Sequence, residues 1–165
     1  MIVRSADASD CLDAREVVLS SVDATSDTYS AEQIETWRQS LSSRDFAMII
    51  EETSSFVAVE NNVIIGFANL IPRGEGGGEL DLLHVSPDHH RMGVGKALVT
   101  VVEERACADS MFQLWADASL LAAPLLESLG YEVVERYVKS VNNVTFQNTW
   151  LLKMLSDQFT SAQKR

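Results

Sequence analysis

The chain has 165 residues, 46% of them hydrophobic, and a formal net charge of −11 at pH 7. That length suits one domain with a real core, and the acidic balance argues against nucleic acid, itself a polyanion, as a partner. No apolar run approaches the roughly 18 residues of a membrane span, the N-terminal residues lack a signal-peptide stretch, and Cys11 and Cys107 offer no metal-ligand spacing, so a reduced cytoplasmic protein without membrane or metal is expected.

Residues 2–4 read as a first strand. Ala8, Ser9 and Asp10 offer capping residues for a helix over 11–22, in which Leu12, Val17, Val18, Leu19 and Val22 fall near helical spacing. Residues 23–28 are polar and turn-like. Ser30 followed three residues later by Gln33 is a capping-box pattern that starts a second helix, ending near residue 41. A short helix is favoured over 44–52. Strands over 56–60 and 63–71 flank Asn61-Asn62, a hairpin signal. Residues 72–78 read as a flexible Gly-rich turn, and 79–85 as the next strand.

A helix is expected over 91–108, a buried strand over 112–116, and a helix over 119–129 stopped by Gly130 in a left-handed cap. Strands over 131–141 and 145–154 join at Asn142-Asn143. Residues 156–165 look like a polar, frayed tail. The order is β-α-α-β-β-β-α-β-α-β-β, a mixed α/β fold in a single domain over residues 1–155.

The most informative stretch runs Leu82-Leu83-His84-Val85-Ser86-Pro87-Asp88-His89-His90-Arg91-Met92-Gly93-Val94-Gly95-Lys96-Ala97-Leu98. An apolar strand ends at Ser-Pro, a polar loop follows, and Gly-x-Gly opens a helix. The first N–H groups of a helix have no intrahelical partner and sit at the positive end of its dipole, so this loop suits phosphate. It is neither G-x-G-x-x-G, since Leu98 holds the third glycine position, nor a P-loop, since Ala97 follows Lys96.

What fits is V-x-P-x-x-x-x-x-G-x-G, from Val85 to Gly95. It resembles the acetyl-CoA pyrophosphate loop of the GCN5-related N-acetyltransferases, the GNAT superfamily, with His90 where that family usually has Gln or Arg. A second segment, Leu114-Trp115-Ala116-Asp117-Ala118-Ser119 leading to Pro124-Leu125-Leu126-Glu127-Ser128-Leu129-Gly130-Tyr131, is similar to the family's strand followed by N-x-x-A-x-x-F-Y-x-x-x-G-F. Ser119 stands where Asn is common and Leu126 where Tyr is common. This pattern, with the segment from Tyr29 to Trp37, resembles one bacterial branch of mostly unassigned substrate.

The resemblance implies a mixed, mostly antiparallel sheet of six to seven strands with a splayed pair and about four helices. It implies an acyltransferase that moves an acetyl group from acetyl-CoA to a primary amine, on a small molecule or a protein, by direct attack in a ternary complex. The alternative is a non-catalytic acyl-CoA-binding regulatory module. Cofactor contacts are expected from the backbone of Leu83, His84 and Val85, from the loop residues His90, Arg91, Met92, Gly93, Val94, Gly95 and Lys96, and from Ser119. Coenzyme A and an amine acceptor are the implied partners, and a homodimer is left open.

Candidate bases are Glu79 and Asp81, two apart and so on one strand face, Asp117 just past the neighbouring strand, and His84, which titrates in a useful range. Each has a plain alternative: Glu79 a solvated strand end, Asp81 an exposed edge charge, Asp117 a helix cap partnered with Ser119, His84 a satisfied strand histidine. With Leu126 in the usual Tyr slot, Tyr131 is the candidate acid and Tyr137 a nearby phenol. Tyr29 and Trp37 are candidates for the acceptor pocket, against ordinary packing.

Overall fold

The structure, a computed structural model, describes residues 1–74 and 76–155. The expected tail over 156–165 lies outside the described residues. Seven strands form one sheet: β1 (Ile2–Ser5), β2 (Ser54–Glu60), β3 (Val63–Arg73), β4 (Gly77–Val85), β5 (Gln113–Ser119), β6 (Glu132–Val141) and β7 (Val144–Met154). Their order is β1-β2-β3-β4-β5-β7-β6, and every pair is antiparallel except β4–β5. Five helices flank it: α1 (Cys11–Asp23), α2 (Ala31–Ser42), α3 (Phe46–Glu52), α4 (Val94–Ala108) and α5 (Ala123–Ser128).

The sheet buries both faces. Val57, Ile64, Phe67 and Leu82 pack with Val17, Val18 and Val22 of α1 and Phe46 of α3. Phe56, Ala68, Leu80, Leu114 and Leu151 pack on the opposite face with Leu98, Val99 and Val102 of α4 and Leu126 of α5. A Cβ at Gly66 would sit 2.9 Å from Leu98 Cδ1 and 3.0 Å from Val94 Cγ1, so the bare backbone of β3 lets the first turns of α4 lie close on the sheet.

Local signals account for most boundaries. Asn61, Asn62, Asn142 and Asn143 all take positive φ, which tight hairpin turns demand. Ser30 Oγ accepts from Gln33 N–H at 3.2 Å and Gln33 Oε1 accepts from Ser30 N–H at 3.0 Å, completing the capping box.

Three expected boundaries move. Residues 72–78 are not a flexible turn, because β3 continues through Pro72, paired with Gly78. Pairing with β2 ends at Leu70, so one edge of β3 is free where proline lacks its donor. The helix expected from residue 91 begins at Val94, after Arg91 and Gly93 take positive φ. The strand expected over 112–116 runs to Ser119, because Asp117 and Ser119 stay paired to Trp150 and Asn148 of β7. The following helix is correspondingly short. Ser119 Oγ accepts from Ala122 N–H at 3.2 Å in the turn before it.

Candidate active site

β4 and β5 are paired only from Gly77↔Gln113 to Leu80↔Ala116. Beyond that point β4 continues to Val85 and β5 to Ser119 without each other, and a gap opens between them. The divergence coincides with a β-bulge. Asn69 opposes Leu82 while Leu70 opposes Leu80, which leaves Asp81 as an extra residue. The strand thereby changes face: Leu80 packs under α4, whereas Leu82 packs under α1. Buried Asn69 holds the bulge, its Oδ1 accepting from Leu82 N–H at 2.9 Å and its Nδ2 donating to Asp81 Oδ2 and Thr53 Oγ1, both at 3.3 Å.

The bulge decides which backbone groups meet the gap. Ser86 N–H donates to Ile65 O of β3 at 2.8 Å, and Leu82 N–H also faces β3. Strand alternation then turns His84 toward β3, and Leu83 and Val85 toward the gap. The expectation for three consecutive residues is therefore corrected: His84 does not present its amide to the gap. Val85 O accepts from His90 Nε2 at 3.0 Å, and His90 N–H donates to Pro87 O at 3.3 Å. His90 thus pins the loop to the strand end, and both of these donors are engaged within the protein.

At the mouth of the gap α4 begins. Its first internal hydrogen bond is Ala97 N–H to Gly93 O, so the N–H groups of Val94, Gly95 and Lys96 have no partner within the helix, and no side chain caps them. Gly93 has φ +84°, and a Cβ there would meet nothing within 4 Å. A Cβ at Gly95 would come within 2.8 Å of Leu125 Cδ2, so the second glycine lets α5 approach. Arg91 and Lys96 are exposed and have no ionic partner among the described residues, and Met92 is exposed beside them. Unshared donors, a helix dipole and two free cations at one place form a site for a polyanion.

The three candidate carboxylates are engaged. Glu79 lies in the still-paired part of β4 and is bound by Arg73. Asp81 is bound by Arg44 at 2.5 Å. Asp117 accepts from Lys139 Nζ at 3.0 Å and Asn148 Nδ2 at 2.7 Å, so it ties β5 to the last hairpin and is not a cap for Ser119. Burial, with Asp117 alongside, pushes the Tyr137 hydroxyl up to about 12.

Tyr131 is corrected as candidate acid. It is 3% exposed, at the start of β6 beside the closed end of the β4–β5 pair, and burial raises its pKa. Leu126, in the slot where a phenol was looked for, is 1% exposed in the core under α4.

On the α1–α2 side of the gap lies an aromatic arch. His84 and Trp37 have ring centroids 6.1 Å apart, and Trp37 meets Tyr29 edge-on at 5.4 Å. Tyr29 OH accepts from Leu120 N–H just past β5, at 3.0 Å. Tyr29 also lines a groove of 360 Å³ with Thr28, Gln33, Leu120, Val138, Thr145, Phe146 and Gln147. Trp37 does not line that groove; it backs His84.

His84 Nδ1 lies 2.8 Å from Ser21 Oγ of α1. Desolvation by burial lowers its pKa to about 4, with smaller opposed influences from Asp81, which raises it, and Arg44, which lowers it. The unfolded chain therefore binds more protons between about pH 4 and the ordinary histidine value, and stability contributed here is lost as pH falls through that window. Comparing urea melts of wild type and His84→Gln from pH 7 to pH 4 should show wild type losing on the order of 3 kcal/mol more. Parallel pH dependences would refute this.

The model of the acetyltransferase (GNAT) domain matches residues 25–151. The chain belongs to the GNAT acetyltransferase family. An uncharacterised N-acetyltransferase of Escherichia coli K12, YafP, is 28% identical over 123 residues, 74% of this chain and 75% of that protein. A crystal structure of a GCN5-related N-acetyltransferase from Rhodopseudomonas palustris, also titled a class-II aminotransferase, superposes with TM-score 0.83 at 29% identity, covering 93% of this chain and 95% of that one. The PaiA N-acetyltransferase of Thermoplasma acidophilum, solved in complex with coenzyme A, shares the fold at TM-score 0.76 and 18% identity, over 93% and 98% of the two chains. The GNAT fold here has seven strands and five α-helices, counting the short α3 and α5. Among the described residues no helix is long and apolar enough to cross a membrane, and no group of three or more His, Cys, Asp or Glu could hold a metal ion.

The sequence reading missed Asn69, Gly66 and Ser21. Asn69 carried a signal, a lone amide inside an otherwise apolar strand. Gly66 and Ser21 carried none, since the groups that give them their roles, Val94 and Leu98 for Gly66 and His84 for Ser21, lie far off in the chain.

Proposed function

We propose that this GNAT protein transfers an acetyl group from acetyl-CoA to a primary amine by direct attack within a ternary complex. One observation supports the reading above the others: the unshared N–H groups at the start of α4 and the unpaired backbone N–H groups of Leu83 and Val85 converge on one gap. The residues fit coenzyme A. Val94, Gly95 and Lys96 would receive its pyrophosphate through their amides, with Arg91 and Lys96 as counter-charges. Leu83 would hydrogen-bond its amide-rich arm as a further strand would, with the Val85 N–H beside it. Acetyl-CoA supplies the activated acyl group.

The chain's own contribution is to bring amine and thioester together in one cleft, which supplies much of the rate in any bimolecular transfer. The groove beside Tyr29, between the α1–α2 connection and the β6–β7 hairpin, suits the body of the acceptor. With Tyr131 buried and Leu126 in the core, no tyrosine at these positions serves the departing thiolate.

The test is calorimetric titration with acetyl-CoA, followed by an assay of free thiol across primary alkylamines, arylalkylamines, polyamines and lysine-containing peptides. Saturable one-site binding with amine-dependent thiol release is expected. Absence of binding overturns the reading. Tight binding without release from any amine class would mark the protein as an acyl-CoA-binding module.

A further inference from the structure

We propose that His84 is a catalytic residue that accepts the proton of the attacking amine at Nε2, and that Ser21 is the positioning residue that fixes the tautomer required. The inference rests on the acetyl-transfer reading above and names the group that serves it.

The acidic candidates leave this role open. Glu79, Asp81 and Asp117 are each held by a cation, and Asp81 and Asp117 also by an amide side chain. His84 differs. It lies on β4 past the last pair with β5, between Leu83 and Val85, the two residues whose backbone faces the gap. Its side chain is on the α1–α2 face, where the groove also lies.

The hydrogen bonds assign the tautomer. A serine hydroxyl has one proton to donate. Ser21 Oγ lies 2.8 Å from Val18 O, the carbonyl three residues earlier in α1, and donates there. The 2.8 Å contact between Ser21 Oγ and His84 Nδ1 is then donated by the imidazole. Nδ1 carries the proton and Nε2 carries the lone pair. Nε2 has no hydrogen-bond partner among the described residues, and His84 is half-buried rather than sealed in the core. Trp37 sets the ring's other neighbour. Buried Ser21 is thereby explained: a small polar residue on the apolar face of α1, satisfied by Val18 and His84 alone.

The step balances without a further reactant. The neutral amine nitrogen bonds to the thioester carbonyl carbon, and its N–H proton, made acidic as that bond forms, moves to Nε2. The C–S bond breaks and the thiol's electron pair leaves with sulfur. The imidazolium, disfavoured by its desolvated setting, releases its proton to the thiolate or to water, and neutral His84 is restored. A weakly basic imidazole does not deprotonate a free alkylammonium, so the amine must arrive neutral. The rate is then expected to rise with pH until the acceptor's own ammonium is titrated.

Two measurements on the full chain decide it. In ¹⁵N-histidine NMR, with no ligand added, His84 should show a protonated Nδ1 and a bare Nε2 from pH 5 to 8, and Ser21→Ala should lose that single-tautomer signature. A protonated Nε2 in wild type overturns the proposal. In the thiol-release assay with acetyl-CoA and the best amine of the panel, His84→Gln should lower kcat about a hundredfold. Acetyl-CoA affinity should stay within twofold, because the His84 backbone faces β3. Ser21→Ala should lower kcat about tenfold, with KM little changed. An undiminished kcat in His84→Gln overturns the proposal while leaving acetyl transfer intact, whereas failure to bind acetyl-CoA overturns the functional reading itself.

Discussion

Replacing Gly93 with Asp is expected to weaken acetyl-CoA binding about a thousandfold and to leave the fold standing. The two halves of that expectation come from the same position. Gly93 is the N-cap of α4, with φ +84°, and its missing side chain would project into open space. The left-handed backbone strains any side chain there, Asp and Asn less than most, so folding should lose only about 1 kcal/mol. The incoming carboxylate would compete for the N–H groups of Gly95 and Lys96 and stand beside the pyrophosphate. Two unit charges about 4 Å apart at an effective dielectric near 20 repel by about 4 kcal/mol, roughly three powers of ten in affinity. Gly93→Asn separates charge from size and should bind within about tenfold of wild type. The readouts are calorimetric affinity, with partial recovery of the Asp variant at high salt, and a thermal midpoint within a few degrees of wild type. Unchanged affinity in Gly93→Asp would remove the pyrophosphate from this loop.

That loop was legible because its signal is local. Pro87, Gly93 and Gly95 fix a short stretch of backbone through sterics, and the structure realises it as a turn, a left-handed cap and a helix start within a few residues. The hairpins at Asn61-Asn62 and Asn142-Asn143, the Ser30 capping box and the Gly130 stop at φ +90° were readable for the same reason. The engagement of the candidate acids was not. Arg44 is 37 residues from Asp81 and Lys139 is 22 from Asp117, so periodicity sees the acids and cannot see the bases that bind them. The extra residue at Asp81 was hidden as well. A bulge preserves apolar content while changing which face each residue meets, so a strict period of two assigns the residues beyond it to the wrong side. Glu79 and Asp81 looked equivalent in sequence. In the fold one sits before the divergence of the strands and the other at it.

The bulge supplies the second large effect. Asn69→Leu preserves side-chain volume and removes every polar contact that the Asn69 side chain makes at the bulge, to Leu82 N–H, Asp81 and Thr53. Leu82 N–H would be left unpaired beside the core, and Asp81 would lose one of its partners. Such losses cost about 1–3 kcal/mol each, so a drop of about 3 kcal/mol in urea stability is expected. The larger consequence is geometric. If β4 relieves the unpaired N–H by drawing in its extra residue, the strand beyond it shifts by one, Leu83 and Val85 turn to β3, and His84 leaves the α1–α2 face. Acetyl-CoA affinity and turnover should both fall by a hundredfold or more, measured by calorimetry and thiol release at a temperature where the variant remains folded. Thr53→Ala removes only the outermost of these contacts and should cost about 1 kcal/mol with affinity unaltered. If Asn69→Leu were less stable yet bound and turned over like wild type, the gap between β4 and β5 would owe nothing to the bulge, and its cause would have to be sought in the packing of α4 against Gly66.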